Sequence, residues 1–269
     1  MDMHGLLEKL KGALIVSCQA YPGEALYGSH HMAAMAQAAK DGGAAAIRAN
    51  SPQDVAAIRE ICGLPVIGIW KKTFPDSEVY ITPSASDVLA LISAGAEIVA
   101  LDATRRSRPG GETLEGLLAN VRRFSERPLR AGGETESSGS DRTLLMADVS
   151  TFEEGLAAEA LGFDLLSTTL SGYTSYSRQD SGPDLELVER LSRECGIPVV
   201  AEGRYDTPEL AAEALMRGAH AVVVGTAITR PHTLSRRFAD ALKREQPARK
   251  AERKNAAVSR PGGSEEEFL

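Results

Sequence analysis

Aromatic residues are scarce in this sequence. They make up 5% of its 269 residues, with a single tryptophan, although hydrophobic residues reach 43%. The core volume must come from Ala, Val, Leu and Ile, which suits helices packed on a parallel sheet. Cysteine is equally sparse. Cys18, Cys62 and Cys195 are odd in number and far apart, which excludes a disulfide framework and reads as reduced thiols in a cytoplasmic protein. No stretch approaches the apolar length needed to cross a bilayer. The opening "MDMHGLLEKL" carries acidic residues and no signal-peptide pattern. The net charge is −7 and the body has no long basic run, which argues against a nucleic-acid surface. No His, Cys and carboxylate spacing suggests a metal site.

What is present is alternation. Short apolar runs occur at 12–18, 44–48, 65–70, 97–103, 143–148, 163–168, 197–202 and 220–225, each bounded by turn residues. Between several of them lie helical patterns that open on Ser29, Ser51, Ser84, Thr151 or Thr207 and close on glycine. "CGLPVIG" (62–68) is echoed by "CGIPVVA" (195–201), and helix-ending glycines recur at Gly43, Gly95, Gly162 and Gly218, before every second strand. Eight parallel strands with eight helices in roughly 250 residues is the (β/α)8 TIM barrel. An open doubly wound sheet is the alternative, but "SCQAYPGEALYG" after the first run is not a dinucleotide fingerprint. Residues 1–243 are expected to form this one domain. The polar 126–142 stretch is expected as a loop on the barrel's N-terminal face, and 244–269 as a disordered tail.

Function in a TIM barrel is read at the C-terminal ends of the strands. Here these carry Gln19, Arg48, Lys71-Lys72, Asp102, Asp148, Thr168-Thr169, Glu202-Gly203-Arg204 and Gly225-Thr226. So many polar groups at one mouth imply a small polar substrate. The last two loops, "EGRYDTPE" and "GTAITRP", combine Gly203 and Gly225 with Arg204 and Arg230, which suits a phosphate. Aligning the echoed strands sets Glu202 opposite Ile69. Lys71 shares the parity of Ile69 and should point into the mouth, whereas Lys72 should not. A lysine acts as a base only when desolvation or a nearby cation lowers its pKa, and Arg48 is the candidate cation. Arg48 could instead pin the substrate or pair with Asp148. Asp102, Asp148 and Glu202 cannot all be bases. Asp102 reads equally well as a salt-bridging turn residue, and Asp148 is placed to hold a hydroxyl. His30 and His31 read as surface residues, and Cys18 has no histidine at a strand end to activate it.

"LIVSCQA", "AIRANS", "VIGIWKK", "YITP", "ALDATRR", "MADVST", "TTLSGYT", "AEGRYDTPE" and "VVVGTAITRP" together resemble the N-acetylmannosamine-6-phosphate 2-epimerase family, from about residue 12 to about 240. The resemblance implies a ribulose-phosphate-binding-like (β/α)8 barrel, often a homodimer, that works without cofactor or metal in amino-sugar catabolism. Its substrate would be an amino-sugar phosphate. It implies Lys71 as the residue that moves the C2 proton and Glu202 as its partner acid. Gln19, Arg48 and Asp148 fall at substrate-holding positions. Gly203, Arg204, Gly225, Thr226 and Arg230 fall at the phosphate end. Competing readings are a Schiff-base aldolase with Lys71 as nucleophile and a non-catalytic sugar-phosphate-binding barrel.

Overall fold

The computed structural model describes residues 2–125 and 142–258. The chain divides into two compact units, one of Met1–Thr229 and one beginning at Arg230. In the first, α1 (Met3–Leu10) precedes β1 (Ala13–Cys18), α2 (Ser29–Asp41), β2 (Ala46–Asn50), α3 (Pro52–Cys62), β3 (Val66–Ile69) and α4 (Ala85–Ser93). There follow β4 (Ile98–Asp102), α5 (Leu114–Ser125), β5 (Leu144–Asp148), α6 (Phe152–Ala160), β6 (Leu165–Ser167) and α7 (Leu185–Glu194). The unit closes with β7 (Val199–Glu202), α8 (Pro208–Met216), β8 (Ala221–Val224) and the short α9 (Thr226–Thr229). The strands pair in parallel in chain order, and β8 returns to β1 with Ile15 opposite Val223, closing a barrel. Closure removes the open-sheet alternative.

Strand alternation sorts the core into two layers. Ile15, Ile67, Ile69, Met146, Val200 and Val223 belong to the buried cluster that fills the barrel, with Leu6 and Leu10 of α1 packed against it. Residues of opposite parity, such as Val16, Cys18, Ile47 and Val66, lie between the strands and the helices. The small apolar residues that dominate the composition suit this double burial.

Local signals act where the sequence puts them. Ser51, Ser84, Thr151 and Thr207 accept hydrogen bonds from the first turns of α3, α4, α6 and α8, and Ser84 with Asp87 and Thr151 with Glu154 form capping boxes. Ser29 departs from expectation. It is the first residue of α2 behind Gly28, and its hydroxyl donates to Asp54 at 2.7 Å, so it ties α2 to α3 and does not cap its own helix. Gly43, Gly95, Gly162 and Gly218 all have φ between 81° and 99°. The next N–H in each case reaches back five residues, to the carbonyls of Ala39, Leu91, Ala158 and Ala214. This is the Schellman closure, which needs a left-handed residue. It explains why the glycine recurs before β2, β4, β6 and β8.

One insertion shapes the mouth. β3 and β4 pair only through Ile67–Ile98 and Gly68–Val99. Beyond that the segment Tyr80–Thr82 enters between them. Lys72 N–H donates to Tyr80 O at 2.9 Å, Thr82 N–H to Trp70 O at 2.9 Å, and Asp102 N–H to Ile81 O at 3.0 Å. Thr82 takes φ 47°, a strained value for a β-branched residue. Its hydroxyl donates to Ala100 O at 2.7 Å and accepts from Trp70 N–H at 3.1 Å, which holds it there.

Two expectations concern other parts of the chain. Of the 126–142 stretch, residues 126–141 lie outside the described residues; Arg142 is ion-paired with Asp164. A disordered tail is expected over 244–269; helix α10 runs from Pro231 to Val258, and residues 259–269 lie outside the described residues. Past Pro247, the "ARKAERKNAA" portion of the helix is built almost wholly of strong helix formers.

Candidate active site

The strand parity that fills the barrel with Ile67 and Ile69 carries Lys71 to the mouth one step later. Lys71 N–H donates to Asn50 Oδ1 at 2.8 Å, and its Nζ donates to the Tyr21 hydroxyl at 2.9 Å. Lys72, of opposite parity, pairs with Asp87 and lies over the Trp70 ring at 3.6 Å. The two adjacent lysines thus have separate surroundings. Tyr21, Asn50, Lys71 and Tyr80 share the wall of a cleft of ≈ 620 Å³ at the ends of the first strands.

On the interior side, Arg48 is fully buried and flanked by two carboxylates. Its Nη1 and Nη2 lie 3.2 and 2.5 Å from the two oxygens of Asp148, a bidentate pair, and Nη1 is also 3.1 Å from Glu202 Oε2. The pairing of Arg48 with Asp148 read from the sequence is formed. Asp148, expected to hold a hydroxyl, accepts one from within the protein: Thr169 Oγ1 is 2.8 Å from Asp148 Oδ1 and 3.1 Å from Glu202 Oε2. The Ser167 hydroxyl lies 2.8 Å from that of Thr169.

The electrostatics follow from a count. One guanidinium faces two carboxylates, leaving one negative charge uncompensated in a dry place. Burial therefore raises the Glu202 pKa above its ordinary value; Arg48 opposes the rise and Asp148 adds to it. The hydrogen bonds agree. Thr169 has one hydroxyl proton and two carboxylate neighbours, so a proton on Glu202 satisfies the second contact. The Glu202 side chain is 13% exposed while those of Arg48 and Asp148 are 1% or less, which makes Glu202 the member open to the mouth. Arg48 itself is held charged: burial alone would lower its pKa, but the two carboxylates raise it. Tyr80 is pushed up to about 12, by burial first and then by the charge of Asp148.

The remaining strand ends separate into three kinds. Asp102 is a turn residue: its carboxylate accepts from Thr104 N–H at 3.0 Å, Thr104 O–H at 2.6 Å and Arg106 Nη2 at 2.6 Å. Burial raises its pKa against the pull of Arg106. Gln19 donates to the Ser17 hydroxyl at 2.7 Å, while its Oε1 is buried with no partner among the described residues. Cys18 faces the helices, and burial, then Cys62 and Asp54, push its thiol up to about 12. His30 and His31 stack on each other at 3.8 Å on α2. No group of three or more His, Cys, Asp or Glu among the described residues could hold a metal ion.

The last two loops open the backbone. Gly203 and Arg204 have φ of 111° and 60°, an unusual pair because arginine rarely takes such a value. Arg204 Nε donates to Gly182 O at 2.7 Å, and its guanidinium fills the space that a Cβ on Gly172 would need. Gly172 lies in "TTLSGYT" at φ 78°, so that motif is the seat of Arg204. Gly225 packs on Ser17, and the Thr229 hydroxyl donates to Ser17 O at 2.8 Å, which ties α9 back onto β1. Thr226 opens α9. Arg230 is the first residue of the second unit.

Three residues, Tyr21, Tyr80 and Gly172, escaped the sequence reading, and Thr169, named there at a strand end, was given no role. Thr169 was legible as the same-parity neighbour of Ser167, and Tyr21 as that of Gln19. Tyr80 and Gly172 stand in the quoted motifs "YITP" and "TTLSGYT", but their contacts had no local signal, because each acts through an element distant in sequence.

A profile of the family described as "Putative N-acetylmannosamine-6-phosphate epimerase" matches residues 32–244. A protein of Caldanaerobacter subterraneus subsp. tengcongensis, named as an N-acetylmannosamine-6-phosphate 2-epimerase of the same kind, is 50% identical over 238 residues, covering 88% of this chain and 94% of the relative. A relative with that name from Clostridium perfringens (strain SM101 / Type A) is 49% identical over 238 residues, covering 88% of this chain and all of its own. The solved structure of the N-acetylmannosamine-6-phosphate 2-epimerase from Clostridium perfringens superposes with a TM-score of 0.80 at 46% identity, over 90% of this chain and 98% of that one. By sequence and by fold, the chain belongs to the N-acetylmannosamine-6-phosphate epimerase family.

Proposed function

We propose that the protein interconverts N-acetyl-D-mannosamine 6-phosphate and N-acetyl-D-glucosamine 6-phosphate by removing and returning the proton at C2. The substrate follows from the names of its relatives. The observation that carries the chemistry is the pairing of functions at one mouth: a lysine nitrogen just beyond the end of β3 and, on β7, a carboxyl group whose pKa is raised. An epimerisation beside a carbonyl needs a base on one face and an acid on the other. Strands β3 and β7 are four apart in an eight-stranded ring, hence on opposite sides.

The C2 hydrogen is acidic only beside a carbonyl, so the sugar opens to its aldehyde. Lys71 takes the C2 proton, and charge develops on O1 as an enediolate. Glu202, whose pKa is raised by burial and by Asp148, returns a proton from the opposite side. Both terminal nitrogens of Arg48 are engaged by its two carboxylates, while its Nε has no partner among the described residues; it acts by fixing the carboxylates, and through its charge. The unpartnered Oε1 of Gln19 waits for a substrate N–H or O–H. Gly203, Gly225 and the first N–H groups of α9 from Thr226 take the phosphate, with Arg204. Resemblance also carries the proposal of a homodimer, read by light scattering. A cytoplasmic location is supported by the three free thiols. The direct test is NMR of the purified protein with N-acetylmannosamine 6-phosphate: resonances of the gluco epimer should grow in, and their absence would sink the reading.

A further inference from the structure

Tyr21 stands at the mouth without a part in the chemistry above. It lies two residues beyond Gln19 and four beyond Ser17, the parity that turns Ser17 inward. Its loop is folded on itself: Tyr21 N–H donates to the Glu24 carboxylate at 2.9 Å, Glu24 N–H returns to Tyr21 O at 3.0 Å, and Tyr27 N–H reaches Glu24 O at 3.0 Å. The ring is thereby set above Lys71, with its hydroxyl 2.9 Å and its centroid 5.4 Å from Nζ.

Lys71 needs such a partner. Its main chain is fixed by Asn50 and by a bridge to Ile81. From Cβ outward, however, a flexible four-carbon stem carries the nitrogen. An amine has two hydrogens and one lone pair, so holding one N–H direction restricts where the lone pair points.

We propose that Tyr21 is a positioning residue for Lys71: its phenolic oxygen accepts a hydrogen bond from Nζ and aims the nitrogen at the substrate carbon. The proposal rests on Lys71 being the base. Because the reacting atoms must meet in a narrow geometry, loss of the hydroxyl should act on turnover and not on substrate affinity. Tyr21 is 40% exposed, so its hydroxyl can be removed without opening the core.

The test uses Tyr21→Phe, which keeps the ring, and Tyr21→Leu, which removes its face as well. In the full-length protein, kcat for epimerisation should fall about tenfold in Tyr21→Phe while KM for N-acetylmannosamine 6-phosphate changes less than about twofold. Tyr21→Leu should fall at least as far, with the melting temperature unchanged in both. In a Lys71→Ala background, adding Tyr21→Phe should not lower the residual C2 exchange further, because the two residues act as one. Wild-type turnover in Tyr21→Phe, or an equal loss in the Lys71→Ala background, would overturn the inference and leave the proposed function standing. An unmutated protein without C2 exchange would overturn both.

Discussion

Arg48 shows how a single buried cation sets the behaviour of its neighbours. Held between Asp148 and Glu202, it neutralises one carboxylate, and the other pays in a raised pKa. A carboxyl group whose folded pKa is raised contributes stability that is complete below the ordinary glutamate value of 4.5 and is lost as pH rises through the folded value. Glu202→Gln remains uncharged throughout. It should melt above the wild type at about pH 8, by about 2–4 °C for each kcal/mol recovered, and the difference should vanish toward about pH 4. Its epimerase turnover should drop on the order of 10²–10⁴-fold. Calorimetry across pH with a parallel assay checks both; a wild-type melting profile would show that Glu202 is not strained by its surroundings. Gly172 gives a second test at this scale. Gly172→Ala forces a side chain into φ 78° and into the Arg204 guanidinium. It should cost about 1–3 kcal/mol and raise KM about tenfold with kcat little changed, as expected if Arg204 holds the phosphate. An unchanged KM would detach Arg204 from substrate binding.

Elements carry the alternation that made the site legible. The echo of β3 in β7 proved to be a true structural register, Val66 to Ile69 against Val199 to Glu202, so that side-chain parity could be transferred between them. The four Schellman closures are the second regularity, and they act on stability alone. Gly43→Ala meets no atom within 4 Å, so its cost is the backbone conformation itself. Urea unfolding should show a loss of about 1 kcal/mol with kcat and KM unchanged. Gly218→Ala should lose more, because its Cβ would come within 2.9 Å of Ser192. Equal losses would mean that the helix ends adapt. The Tyr80–Thr82 wedge was not legible. "YITP" carries part of the family resemblance but no sign of its place in the sheet, and only the parting of β3 from β4 gives it one.

The molecule as a whole decides what a sequence can disclose about a barrel. Strand number, layer parity and caps are local or periodic, and they were readable. The partners of Arg48 lie 100 residues away at Asp148, and Lys71 meets Tyr21 across 50 residues. Such pairs exist only because the ring closes. The same double burial places Cys18 and Cys62 between strands and helices. With its thiol pushed up to about 12, Cys18 should resist alkylation in the native protein and react on unfolding; rapid native labelling would contradict that placement. The central claim is that Lys71 moves the C2 proton. It is tested most directly by following C2 hydrogen exchange of N-acetylmannosamine 6-phosphate in D₂O by NMR, with the wild type and Lys71→Ala side by side. Wild-type protein should replace the C2 hydrogen with deuterium as it epimerises, and Lys71→Ala should lose that exchange by at least about 10²-fold while remaining folded. Exchange at the wild-type rate in Lys71→Ala would contradict the claim.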